Sequence, residues 1–545
     1  MIAALVPFFM FSVAFADTLG QAQTFNTNET FDGFDRKSAS ATLRHVGGNA
    51  YFYVDNKFWD SLNFIGKDKI LSGIVELSNE FDNNMYPKET SFWGQEPKPG
   101  VDGDDRVVIL LEELKSGHGG YFSTSNGYPK SDDPKSNERE MIIINADAVL
   151  GPYAKIFLAH EFQHLISFNQ KELLRNVSDD VWFNELRSEY AITQTGYNDF
   201  FTGSNLERRA ETFFSNSSDS LTEWPNIGVD YAVVALFAEY IVDQYGENFL
   251  RDTLWTNLFG IPSVNSVLSN RSSSDRFIEI FAGWLAASYI NDNSVNGKLG
   301  YSHPGLKRFK ASPQRTTTLS DSEPDIFDYF VKPWQVYGHK FLVGGSFTKD
   351  KAFKLSPAYN SKFAYADNLG RFSIVDKDFY VNDPGGLDHF FIFPINDKKT
   401  SGFGAKEDGS VLSLSVSLIE KTLGMDFGSV LKNGALIKKA RESEVYVIEG
   451  KYKRYLRPEV MALYGHLAGV KPTEVDEATF HSYTTANYVR YVNEEQVYAV
   501  WPDGTKHWLN ITPSTWDASG RDWEAIFIIN DLELNTYKTG SEITR

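Results

Sequence analysis

The 545-residue sequence contains no cysteine, which excludes disulfides and thiolate metal sites. Any transition-metal site must therefore be built from histidine, aspartate and glutamate. Histidine is itself scarce, at 10 residues, so two of them at a meaningful spacing carry information. Positive charge is outnumbered, with 53 Lys and Arg against 72 Asp and Glu and a formal net charge of −19. Binding a phosphate backbone needs clustered Lys and Arg, so no nucleic-acid partner is expected. No stretch beyond the N-terminus is long and uncharged enough for the ~20-residue helix that spans a bilayer, so no transmembrane segment is expected in the mature chain. What is present, 42% hydrophobic and 23% charged residues with 15% aromatics, belongs to a folded globular protein of more than one domain.

The opening MIAALVPFFMFSVAFADT is an apolar run followed by Ala14-Phe15-Ala16. It predicts a signal peptide over residues 1–16 and a secreted or cell-surface location, although no positively charged region precedes the run. Residues 17–40 are polar and rich in Ser, Thr and Asn, which predicts a linker or short pro-segment. Strand signals follow at AYFYV (50–54), RVVILLEEL (106–114) and EMIIINA (140–146). From about 150 to 310 the apolar period becomes helical in PYAKIFLAHEFQHLISF, DYAVVALFAEYIVDQYG and DRFIEIFAGWLAASYI, and Gly246 stands where a helix C-terminal glycine belongs. Alternation in VLSLSVSLIE marks a β-sandwich-like domain over 320–424. Residues 425–545 hold two tandem hairpin-rich repeats, because ALIKKARESEVYVIEGKYKRYL matches NYVRYVNEEQVYAVWPDGTKHWL.

Within LAHEFQHLIS, His160 and His164 are four apart and share a helix face, with Glu161 beside them. The neighbours Leu158, Ala159, Phe162, Leu165, Ile166 and Phe168 make the helix apolar nearly all round, so the imidazoles are expected to be buried and to need partners. Two histidines leave a four-coordinate Zn²⁺ that keeps a water short of one protein ligand. Glu185 and Glu189, again four apart, lie in the next acidic helical segment, VWFNELRSEYA.

HEFQH followed by WFNELRSEYA resembles the gluzincin metallopeptidases, most closely the secreted hyicolysin-type and immune-inhibitor-A-type enzymes. The resemblance spans about 41–310, with GNAYFYVD, GVDGDDRVVILLEEL and Tyr231 falling in the family order. It implies an α+β fold: a zincin-type metallopeptidase domain over 41–319, with a mixed sheet, an HExxH helix and a helical lower subdomain, followed by β-rich C-terminal domains. It also implies one catalytic zinc, with Glu185 as third ligand and Glu189 orienting a ligating histidine. Leu186-Arg187 departs from the family, which commonly has Gly and then a small or apolar residue; their bulk is expected to narrow the cleft or alter substrate preference without removing a ligand.

The implied reaction is endopeptidase cleavage of proteins or peptides, with Glu161 as general base and Tyr231 as oxyanion donor. His303 and His339 are alternative donors. Asp102, Asp104 and Asp105, in VDGDDR, are candidate ligands for a structural Ca²⁺. HGGYF (118–122) lacks a phosphate-loop lysine and reads as turn or cleft-edge backbone. Tyr446, Tyr455, Tyr498, Trp501 and Trp508 make cell-surface glycan a candidate partner of the repeats. The rival readings are an inactive zincin-like surface scaffold and an exopeptidase; the N-terminus-anchoring GxMEN stretch of aminopeptidases is not found in the sequence.

Overall fold

The computed structural model describes residues 16–544 apart from 274, 295, 320–324, 344–350, 383–385, 421–433, 440–441, 468–469, 476–479, 482 and 493. The expected signal peptide, save Ala16, lies outside the described residues. The chain is a mixed α/β protein with several sheets. It divides into two compact units, one comprising Met1–Thr316, Tyr329–Lys340 and Phe391–Val411, the other Thr317–Asp328, Phe341–Phe390 and Leu412–Arg545.

The first unit is built on a sheet of β1 (Ala22–Asn26), β2 (Ser38–Val46), β3 (Ala50–Asp55), β4 (Val107–Glu112), β5 (Gly120–Phe122) and β6 (Met141–Asn145), in the order β1-β2-β3-β4-β6-β5. β3, β4 and β6 run parallel, while β5 lies antiparallel to β6 at the sheet edge. The central strands β3 and β4 are buried on both faces, which is why AYFYVD and VVILLE read as continuous apolar runs instead of alternating.

Residues 17–40, expected to be a linker or pro-segment, instead carry β1 and the start of β2. Phe25 is in the core, the Asp17 carboxylate accepts the Tyr53 hydroxyl at 2.8 Å, and Arg36 joins Asp32 and Asp55 at 2.7 and 2.8 Å. The polar composition that suggested a linker supplies these buried ion pairs.

The first unit also carries, among the described residues, the helices α1 (Asn56–Ser61), α2 (Phe64–Glu80), α3 (Tyr86–Trp93), α4 (Tyr153–Ser167), α5 (Val181–Gln194), α6 (Asn205–Ser215), α7 (Gly228–Tyr245), α8 (Asn248–Leu254), α9 (Gly260–Asn270) and α10 (Phe277–Ile290). α4 packs against β5, β6 and α5, and both α5 and α6 pack on α7. Phe162, Leu165 and Ile166 of α4 are fully buried, each stabilising the fold by about 1.5–3 kcal/mol. α7 ends at Gly246, whose φ of 77° favours glycine.

Residues 315–420 contribute a four-stranded sheet (Phe379–Asn382, Lys351–Pro357, Ser410–Glu420, Asp325–Val331) and a five-stranded one (Phe372–Val375, Lys362–Asp367, His389–Ile395, His339–Val343, Arg315–Leu319). Aromatic rings meet across the two sheets at Phe353–Phe390 and Tyr365–Phe379. The C-terminal repeats form two five-stranded sheets of matching order, each a central antiparallel meander flanked by parallel outer strands. They are not independent modules: Leu436, Leu456 and Val460 of the first share a cluster with Val489, Val500 and Phe527 of the second. Buried Arg454 also donates to Glu533 at 2.6 Å. Among the described residues, no helix is long and apolar enough to cross a membrane.

Candidate metal centre

α4 and α5 bring His160, His164 and Glu185 together, and among the described residues they are the one group of three such side chains that could hold a metal ion. His160 Nε2 lies 3.0 Å from Glu185 Oε2 and 3.2 Å from His164 Nε2, and His164 Nε2 lies 3.4 Å from Glu185 Oε2. Zinc bonds of about 2.0–2.1 Å in a tetrahedral arrangement place ligand atoms about 3.3 Å apart. The donor set therefore fits zinc in both chemistry and spacing.

The outward nitrogens of both imidazoles have partners. His160 Nδ1 lies 3.4 Å from Glu189 Oε1. Glu189 is itself held by Arg209, which donates from Nε at 2.9 Å and Nη2 at 2.6 Å, and by the Asn205 amide at 3.0 Å. His164 Nδ1 lies 3.1 Å from Ser188 Oγ, whose hydroxyl donates to Gln163 Oε1 at 2.6 Å. Because the Ser188 proton is directed to Gln163, the network assigns the Nδ1–H tautomer to His164 and leaves Nε2 free to ligate.

Charge follows this geometry. Burial raises the Glu185 and Glu189 carboxyls, but the imidazoles, and for Glu189 also Arg209, outweigh it. Glu189 is held down at about 2 and Glu185 lies well below the carboxylate range. Burial would lower His160, but Glu185 and Glu189 push it up to about 10. Glu161 moves the other way, raised by burial against the pull of both histidines, which suits a group that must accept a proton near neutral pH.

A cleft of about 400 Å³ opens over this cluster. One wall is Gly117–Gly120, leading into β5. A Cβ on Gly120 would approach Ile143 O to 2.8 Å and Glu161 Cγ to 3.2 Å, and one on Gly119 would strike the Phe157 ring at 2.4 Å. The glycines of HGGYF thus let the edge strand lie close to Glu161. Tyr153, Ile156 and Phe157 of α4 form the floor beyond His160, and Arg208, Arg209 and Asn226–Gly228 lie on the α6–α7 side.

Tyr231 faces the same cleft, its ring centroid 6.1 Å from that of His160. Its hydroxyl donates to Asn226 Oδ1 at 2.8 Å, and the Arg209 guanidinium lies 4.9 Å over its ring. Burial and the surrounding carboxylates keep that hydroxyl protonated. The other expected donors are elsewhere. His303 Nδ1 accepts the Gly305 N–H, and His339 is buried 2.7 Å from the Tyr329 hydroxyl, held neutral by burial and Arg315 with its pKa pushed down to about 3.

Two expectations are corrected. Asp102, Asp104 and Asp105 do not converge as a calcium site. Asp102 pairs with Arg139 at 2.5 Å, Asp104 accepts the Tyr51 hydroxyl at 2.8 Å, and Asp105 is exposed. Leu186 and Arg187 do not narrow the cleft either: both side chains are buried, and Arg187 pairs with Asp179 and lies over Phe183.

No family model matches the chain. It is 30% identical over 238 residues to the neutral metalloprotease ShpI of Staphylococcus hyicus, an alignment covering 38% of this chain and 49% of that protein. The chain thus spans about half the length of the curated relative it matches. Over that stretch it is a homologue of a metalloprotease. Among solved structures it is similar to a metallopeptidase from Bacteroides thetaiotaomicron (10% identity, 70% of this chain and 65% of that chain, TM-score 0.23) and to a metallopeptidase in complex with Tn antigen (10% identity, 68% and 72%, TM-score 0.24).

Proposed function

We propose that the protein is a secreted or cell-surface zinc endopeptidase whose zinc is held by His160, His164 and Glu185. The observation that carries this reading is the convergence of those three ligand atoms beside buried Glu161 at the base of a cleft, and the homology to a neutral metalloprotease supports it. A zinc ion bound there supplies Lewis acidity that activates water and polarises the scissile carbonyl.

The chain's own residues do the rest. An extended peptide lies along the edge strand β5, whose backbone offers main-chain hydrogen bonds. Glu161 takes a proton from the attacking water and later passes it to the leaving amine. Tyr231 exchanges its bond to Asn226 for one to the developing oxyanion. Glu189 keeps His160 oriented, and Ser188 does the same for His164. In the C-terminal repeats, Trp501 is 48% exposed and stacked on His507, a platform for cell-surface glycan.

The test is zinc content by mass spectrometry together with hydrolysis of a quenched casein, on the wild type and Glu161→Gln. The expected result is one zinc in both proteins and a loss of about 10²–10⁴ in rate in the variant. Absence of zinc overturns the metal site, and zinc without hydrolysis in the wild type favours a binding scaffold.

A further inference from the structure

Two adjacent arginines of α6 line the cleft and differ in what faces their charge. Arg209 is neutralised by its two bonds to Glu189 and lies over Tyr231. Arg208 is exposed, and its guanidinium hydrogen bond among the described residues runs from Nη2 to the neutral amide oxygen of Asn205. The nearby carboxylate is Glu189, already bound by Arg209 and by Asn205 Nδ2. Arg208 therefore brings an uncompensated positive charge to the cleft of a chain whose formal net charge is −19.

The placement is specific. Asn205 accepts from one nitrogen of the guanidinium, and the planar fork of a cleft-lining arginine has a shape that matches a carboxylate in two parallel hydrogen bonds. Holding the side chain beforehand lowers the ordering cost of binding. Tyr153, Phe157 and Ile192 supply apolar surface in the same cleft.

We propose that Arg208 receives a carboxylate of the peptide substrate, so that the enzyme prefers peptides with an acidic group at a fixed, short distance from the scissile bond. The proposal rests on the peptidase reading above. The carboxylate comes either from an Asp or Glu side chain or from the peptide's free C-terminus.

The test measures binding, by fluorescence polarisation, to the zinc-loaded Glu161→Gln protein, which does not turn substrate over. The probes are fluorescein-labelled octapeptides: a neutral Ala, Gly, Leu and Phe parent with an amidated C-terminus, the same peptide as free acid, and a series in which one Glu moves along the amide. One anionic probe is expected to bind about tenfold more tightly than the parent. That ratio falls towards one in the Glu161→Gln/Arg208→Gln double variant and is partly kept with Arg208→Lys. A preferred Glu position identifies an acidic side chain, and preference confined to the free acid identifies a C-terminal carboxylate. An unchanged preference in a folded Arg208→Gln protein, checked by its thermal melt, or no preference for any anionic probe, overturns the proposal. Casein hydrolysis by the wild type separates that failure from failure of the peptidase reading.

Discussion

Glu189 Oε1 lies 3.4 Å from His160 Nδ1 while the same carboxylate is clamped by two N–H groups of Arg209. A carboxylate fixed in this way orients the imidazole and raises its basicity towards a metal on the opposite nitrogen. Glu189→Gln keeps the shape and removes the charge. It is expected to weaken zinc binding by about 10–100-fold, measured by competition with a chromophoric chelator. An unchanged affinity would reduce Glu189 to a structural partner of Arg209.

The same contacts make zinc binding depend on pH. In the metal-free protein, Glu185 and Glu189 outweigh burial and push the His160 pKa up to about 10. Below that pH the proton must leave before Nε2 can ligate. Apparent zinc affinity therefore rises with pH, by roughly tenfold per unit for this one proton. Calorimetry at pH 8 in two buffers of different ionisation enthalpy is expected to show about one proton released per zinc, and less in Glu189→Gln. Release of no proton would mean that His160 is already neutral.

The candidate ligand residues were legible as a cluster in the sequence because helical spacing alone puts His160 beside His164 and Glu185 beside Glu189 on one face. Ser188 could have been found in the same way, since it lies three residues after Glu185. Arg208, Arg209 and Asn205 could not. They sit on a separate helix, and only the packing of α5 and α6 on α7 brings them to the cleft. The strands of the first unit were legible where burial on both faces gives unbroken apolar runs. β1 was not, because its segment is polar apart from Phe25 and its place depends on the ladder to β2 and on the burial of that one ring.

A second titrating pair, Asp219 and Asp230, lies at the first turn of α7. Asp219 Oδ2 and Asp230 Oδ1 are buried without a hydrogen-bond donor, while the other Asp230 oxygen caps the Ile227 N–H at 2.7 Å. Burial, reinforced by Asp219, pushes Asp230 up to about 7, and burial raises Asp219 as well. Two such carboxyls are best accommodated sharing one proton. The nearby charges, Glu223 and Lys332, pair with each other. With a folded pKa above the unfolded value near 3.8, the folded state holds a proton that the unfolded chain has released, so stability falls as pH rises from about 4 through 7. Asp219→Asn replaces the shared proton with a permanent N–H donor to Asp230. The variant is expected to lose less thermal stability than the wild type between pH 5 and 8, by about 1–2 kcal/mol, reduced by the partial exposure of Asp219. Because Asp230 caps the first turn of α7, next to Tyr231, the rate of peptide hydrolysis should also hold up better at pH 8 in the variant. Parallel melting curves for the two proteins across that range would show that the carboxyls do not share a proton.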